Sequence, residues 1–304
     1  MKKLLYFIIF VSTINSYGLQ RILYVDGFID ILGNKAEENE LLTLASENNF
    51  KSLILYDLDK IDKKLFHLAD STKNNVLINF IKKAKTVYKI KEIGASGENG
   101  GFFINEIDVY NKTRKDPLER FDVYNLEYEY WKTTKSDLGG YYCETYLRKN
   151  GIPCTREGSY KYYLETLSIM NCLAEESDTP IKVEAYIGKY QNKEIKHITN
   201  NVDRLLVSSY ETSPKKAFKN IKNRLGIFIR NKAKIELSII LSSEVRYMGG
   251  FLKYNSLDEA ENELLSYLNI DQNKLNFTGF TYYNYSYLKK SLDFFNFRKT
   301  GVRR

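Results

Sequence analysis

One segment of the chain concentrates residues able to do chemistry: Phe121-Asp122-Val123-Tyr124-Asn125-Leu126-Glu127-Tyr128-Glu129-Tyr130-Trp131. Its Val, Tyr and Leu content predicts a β-strand. Side chains alternate along a strand, so Asn125, Glu127 and Glu129 share one face and Leu126 takes the other. Two carboxylates and an amide in line cost free energy to bury unless they are partnered or functional. Neighbouring carboxylates also repel, so one of them holds its proton to higher pH and can serve as a general acid.

These residues need a scaffold, and the pattern along the chain supplies one. Eight short runs rich in Val, Ile, Leu and Tyr are expected as strands: 22–28, 52–58, 88–94, 121–130, 181–187, 204–210, 235–241 and 277–283. The segments between them carry apolar residues at helical spacing, most clearly 77–84, 160–174, 214–230 and 257–268. Pro214 suits the first turn of its helix, and the acidic start of 257–268 suits a helix N-terminus. Strands alternating with helices imply a parallel sheet, and eight such units close a (βα)8 TIM barrel. The chain has 304 residues, four prolines and no linker-like tract, so residues 19–304 are expected to form a single α/β domain. An open doubly wound sheet would carry a Gly-rich phosphate turn after its first strand, and Asp26-Gly27-Phe28 is no such turn. In a barrel the chemistry sits at the C-terminal strand ends. The shared face of Asn125, Glu127 and Glu129 is therefore expected to be the interior.

Residues 121–130 resemble the strand-four signature DxxDxDxE of glycoside hydrolase family 18, the chitinases and endo-β-N-acetylglucosaminidases. Asp122 and Glu129 match its first and last positions; Asn125 and Glu127 replace its two middle aspartates. Two other strand ends are similar to the family's. Leu206-Val207-Ser208-Ser209-Tyr210-Glu211 stands where the family has M-x-Y-D, and Glu92-Ile93-Gly94-Ala95 where it has S-x-G-G. The resemblance implies a substrate-assisted mechanism, in which the substrate's N-acetyl oxygen is the nucleophile. It implies Glu129 as general acid and then base, Glu127 orienting the acetamido group, Asn125 hydrogen-bonded to Glu127, and Tyr210 holding the acetamido oxygen. Asp122, Glu92, Glu211, Trp131 and Tyr283 are expected to line the substrate site. Strand eight reads Phe280-Thr281-Tyr282-Tyr283-Asn284-Tyr285 and lacks the family's tryptophan, so either a tyrosine there forms the sugar platform or the subsite has degenerated; Trp131 is the best single candidate for a stacking ring.

Three functions follow from these residues. The first is an exported glycosidase acting on β-linked N-acetylglucosamine-containing glycans. The second is a sugar-binding barrel that has lost turnover. The third is a metal-dependent enzyme using Glu92, Glu127, Glu129 and Glu211, since hard cations prefer oxygen ligands. The glycosidase reading needs no cofactor and no metal. His67 and His197 stand alone, and there is no CxxC pattern.

Composition frames the rest. Hydrophobic residues make up 43% of the chain, enough for a large core. Lys2 and Lys3, the apolar run 4–11 and the polar stretch 12–18 read as an export signal, residues 1–18. The run is too short to span a bilayer, which takes about 20 apolar residues, and no later segment is apolar enough. Export to the periplasm or medium is expected, as is a monomer. The net charge is +8, with lysines spread along helix faces, so a nucleic-acid partner is not expected. Cys143 and Cys154 lie within the long loop 131–158 and either pair in an oxidising compartment or stay free thiols; Cys172 is expected as a buried free thiol. No sugar-binding module is appended, so a soluble oligosaccharide or glycoprotein glycan is favoured over crystalline chitin. Aromatic residues are 14% of the chain, with 25 tyrosines. Most are expected in the core; Trp131, Tyr210 and Tyr283 are singled out by their strand-end positions.

Overall fold

The computed structural model describes residues 19–268 and 275–301; the expected signal segment 1–18 lies outside them. Eight parallel strands close a barrel in sequence order, β1 (Gln20–Val25), β2 (Phe50–Leu55), β3 (Glu92–Gly97), β4 (Val123–Leu126), β5 (Lys182–Ile187), β6 (Arg204–Ser208), β7 (Glu236–Ser242) and β8 (Phe277–Tyr283). Closure comes from β1 pairing with β8, Leu23 opposite Tyr282. The architecture is the single-domain (βα)8 barrel expected from the alternation of patterns.

Alternation along each strand divides the apolar residues between two cores. Leu23 and Val25 of β1 face outwards and join the main core between strands and helices. Ile22 and Tyr24 face inwards and meet Ile54, Tyr186, Leu206 and Ile240 on the barrel axis. The major helices are positioned by side-chain caps. Asn34 accepts from Ala36 N at 3.1 Å ahead of Lys35–Glu47, Thr155 from Gly158 N at 3.0 Å ahead of Arg156–Glu175, and Asn284 from Tyr287 N at 3.3 Å ahead of Tyr285–Thr300. Ser213 caps Pro214–Arg230, with Pro214 in the first turn as expected. Each cap contributes roughly 1 kcal/mol.

The lower half of the barrel interior is ionic. Arg204 is fully buried and pairs with Glu184 and, at 2.9 Å, with Glu92. Lys182 bridges Glu92 at 2.9 Å and Glu236 at 3.0 Å. A charge layer of this kind holds together only if every carboxylate finds a cation or a donor; Glu184 takes a further hydrogen bond from Asn125 Nδ2 at 2.8 Å.

Several sequence expectations shift: β1 and β2 begin and end earlier than 22–28 and 52–58, and β4 is shorter than 121–130. The third strand runs from Glu92 to Gly97, not over 88–94. Lys89 has φ 59°, a left-handed turn that ends the preceding helical segment and delays the strand. Cys172 is exposed, not buried, because it lies on the outer face of Arg156–Glu175. Cys143 and Cys154 form a disulfide, with Cα atoms 5.1 Å apart.

Candidate functional site

The C-terminal strand ends open into a cavity of 450 Å³ lined by Glu98, Glu127, Glu129, Lys132, Lys135, Glu244, Arg246 and five tyrosines: Tyr56, Tyr186, Tyr210, Tyr247 and Tyr283. Asn125 faces inwards from β4, and Glu127 and Glu129, in the residues that follow the strand end, line the mouth on the same side. They rise through the barrel in order. Asn125 is fully buried at mid-height, Glu127 is almost buried at the floor of the mouth, and Glu129 stands in its wall.

A hydrogen-bonded relay sets Glu127. Asn125 does not bond it directly, contrary to expectation. Its Nδ2 donates to Glu184 and, at 3.2 Å, to the Tyr24 hydroxyl, and Tyr24 in turn donates to Glu127 Oε1. The Tyr56 hydroxyl is a second donor. Among the described residues no cation pairs with Glu127. Burial therefore dominates and pushes its carboxyl up to about 8, with the Tyr24 and Tyr56 hydroxyls pulling it down and the charges of Glu129 and Glu98 pushing it up. At neutral pH Glu127 carries a proton. Burial also raises the phenols of Tyr24, Tyr56 and Tyr210 well above their ordinary value, and that of Tyr283 to about 12. These hydroxyls stay protonated and available as donors.

Glu129 is held quite differently. Its Oε1 lies 2.8 Å from Lys132 Nζ and its Oε2 2.7 Å from Lys135 Nζ. Its backbone N–H donates to the Tyr142 hydroxyl at 3.0 Å, and Lys135 also lies over the Tyr142 ring at 4.8 Å. The loop after β4 thus supplies a clamp that engages both carboxylate oxygens. The same loop delivers Tyr141 and Tyr146, whose hydroxyls donate to Glu98 at 3.0 and 2.8 Å.

The tyrosines form a connected wall. Tyr210 stacks on Tyr283 at 6.1 Å and on Tyr186 at 6.5 Å, and Tyr283 meets Tyr24 edge-on at 5.6 Å. Trp131 packs against Tyr186 at 5.3 Å in an adjoining cavity. Its indole lies directly on Gly188, where an added Cβ would come within 2.7 Å of the ring; only a glycine leaves room. On the opposite side the mouth continues into a groove of 640 Å³ that shares Tyr56, Glu98 and Glu127 with it. The three cavities make one trough across the barrel top. A trough of this form suits an extended ligand, and aromatic walls suit the apolar C–H faces of a sugar ring.

Three expected site residues lie elsewhere. Glu92 is the first residue of β3 and belongs to the ionic layer at the far end of the barrel. Asp122 precedes β4 and fastens the strand bottom: Lys85 Nζ is 2.8 Å from its Oδ1, and Ile93 N donates to its Oδ2 at 2.8 Å. Glu211 follows Tyr210, so alternation turns it away from the mouth, where Asn220 Nδ2 donates to it at 3.0 Å. The four carboxylates of the metal reading are therefore not brought together, and among the described residues no group of three or more His, Cys, Asp or Glu converges as a metal site. Sequence reasoning missed Tyr24, Tyr56, Glu98, Tyr186, Lys132 and Lys135. Tyr24 and Tyr186 are legible in hindsight as inward residues of strands, and Tyr56 as the residue that follows β2.

No protein-family profile matches the chain, and no curated protein is similar to it in sequence. Solved structures are. A GH18 chitinase from Pseudoalteromonas aurantia superposes with a TM-score of 0.52 at 11% identity, covering 93% of this chain and all of that one. A β-1,4-mannanase from the sea hare Aplysia kurodai gives 0.53 at 10% identity, over 94% and 93% of the two chains. Concanavalin B gives 0.53 at 14% identity, over 92% and 98%. What this chain shares with all three, across nearly its whole length, is the (βα)8 barrel fold.

Proposed function

We propose that the mouth binds β-linked, N-acetylglucosamine-containing glycans and hydrolyses them by a substrate-assisted, retaining mechanism. The observation that carries this reading is the convergence of Glu127 and Glu129, from the segment that follows β4, in a tyrosine-walled trough at the C-terminal end of the barrel. The resemblance of residues 121–130 to the family 18 signature supports it.

In this mechanism Glu129, which takes up a proton from solvent when the entering glycan displaces its lysines, gives that proton to the glycosidic oxygen while the substrate's acetamido oxygen attacks the anomeric carbon. The C1–O bond breaks, and an oxazolinium ion forms. Glu129, now a carboxylate, takes a proton from the water that attacks C1 and reopens the ring. Tyr210 donates to the acetamido oxygen, and Glu127 orients the acetamido group. Lys132 and Lys135 hold Glu129 in the resting site, so an entering glycan must displace at least one of them. Export, with residues 1–18 removed, belongs to the same proposal. Among the described residues no helix is long and apolar enough to cross a membrane.

The lysine clamp favours a second reading, a barrel that binds glycans without turnover. The test is incubation of the full chain with chitooligosaccharides and an N-glycoprotein, with products read by mass spectrometry beside the Glu129→Gln variant. Cleavage between N-acetylglucosamine units by the wild type alone supports hydrolysis. Equal saccharide binding by both proteins without cleavage supports the second reading and sinks the first.

A further inference from the structure

Beside the central mouth lies a cavity of 460 Å³, which shares Glu129, Lys132, Tyr186 and Tyr210 with it. Trp131 forms one wall and Arg224 and Lys189 face it. Arg224 reaches up from the helix Pro214–Arg230 and is half-buried. Its Nη1 donates to Gly188 O at 2.7 Å, and its Nη2 to Ser208 O and Asn220 Oδ1. All three acceptors are neutral. Among the described residues no carboxylate pairs with this guanidinium, and the titratable groups that act on it are the phenols Tyr190 and Tyr186. The one glutamate in the cavity, Glu129, has both oxygens engaged by lysines.

A guanidinium has five N–H donors, so Arg224 keeps donors to spare after those three bonds. It is also held rigid, because it ties the carbonyl ends of β5 and β6 together. A fixed guanidinium with no carboxylate partner, beside an aromatic plane, is suited to an anionic group, which its charge attracts and its remaining Nε and Nη1 donors bond. Exposed Lys189 adds a second positive charge at the rim.

We propose that this side cavity is a subsite for a carboxylate-bearing sugar, its ring against Trp131 and its carboxylate held by Arg224 and Lys189. The proposal rests on the glycan reading of the mouth and narrows its substrate class from neutral to acidic glycans. The carboxylate belongs either to a uronate ring or to an ether-linked lactyl arm; the recognition chemistry is the same.

The experiment uses the full chain, with fluorescence of Trp131, the sole tryptophan, read within the mixing time. The ligands are chitotetraose, an alternating glucuronate–N-acetylglucosamine tetrasaccharide and an N-acetylglucosamine–N-acetylmuramate tetrasaccharide, each acid also in carboxyl-reduced form. One or both acids are expected to bind at least about tenfold more tightly than the reduced form, with the preference weakening as salt rises. The acid that does so identifies the source of the carboxylate. Arg224→Gln and Lys189→Ala should each shrink the preference and leave chitotetraose affinity unchanged. The wild-type comparison stands even where Arg224→Gln does not fold. Equal binding of acid and reduced ligands, with chitotetraose bound, overturns the subsite and spares the glycan reading. Failure of every saccharide to bind overturns the glycan reading itself.

Discussion

Glu127 makes the fold's stability depend on pH in a way that one substitution removes. In the unfolded chain a glutamate titrates near 4.5; in the barrel Glu127 titrates near 8. Between these values the native state holds one proton more than the unfolded state, so raising the pH destabilises the fold. The contribution is complete below pH 4.5 and is lost as the pH rises through 8. Each pH unit in that window is worth about 1.4 kcal/mol, so the whole span of about 3.5 pH units amounts to roughly 5 kcal/mol. Glu127→Gln keeps the shape and the polar contacts but cannot ionise. The stability of the variant relative to wild type should therefore climb with a slope of about 1.4 kcal/mol per pH unit, then level off above pH 8. Urea denaturation of both proteins at pH 5, 6, 7, 8 and about 9, followed by ellipticity, reads this directly, because every other titrating group is common to the two. Parallel stability profiles would refute the reasoning: Glu127 would then be ionised at neutral pH, and the buried relay through Tyr24 would not isolate it from solvent. Tyr24→Phe gives a second reading of the same physics. It removes a donor that favours the carboxylate, so the break in the profile should move to higher pH.

Other consequences are equally open to measurement. Lys135→Met frees one oxygen of Glu129; partly exposed ion pairs contribute about 1 kcal/mol at most, so kcat/KM on a chitooligosaccharide should rise by up to about fivefold under the hydrolytic reading. Gly188→Ala forces the Trp131 indole off its seat, so the tryptophan emission maximum should shift and saccharide affinity fall, at a stability cost of about 1–3 kcal/mol. Arg204→Met leaves Glu184 buried without its cation, and the urea midpoint should drop by the equivalent of about 3–5 kcal/mol.

The barrel was legible in the sequence because eight inward-outward alternations and their intervening helical stripes are properties of the local chain. The direction of Asn125 followed from the same alternation, and Glu127 and Glu129, past the strand end, line the mouth on the same side. Errors came where position along the strand mattered. Reading β3 as ending near Gly94 put Glu92 at the mouth; three further residues of strand, through Gly97, carry it to the opposite end and bring Glu98 to the site instead. Asp122 matches a motif letter yet precedes its strand, where Lys85 neutralises it. Glu211 was placed by its neighbour Tyr210, although adjacent residues of an extended chain face opposite ways. The lysine clamp had no local signature. Lys132 and Lys135 belong to a loop, and their meeting with Glu129 depends on how that loop folds back over the strand end.

That loop is also the one the disulfide closes. Cys143 and Cys154 bracket Tyr146 and adjoin Tyr142, whereas the barrel strands owe nothing to the crosslink. Opening it leaves the scaffold intact and slackens the rim that presents Tyr142 and Lys135 to Glu129. The ambient thiol–disulfide balance thus acts on ligand grip and on thermal resistance together. In a reducing medium the protein should lose about 2–4 kcal/mol of stability and its hold on saccharide should weaken.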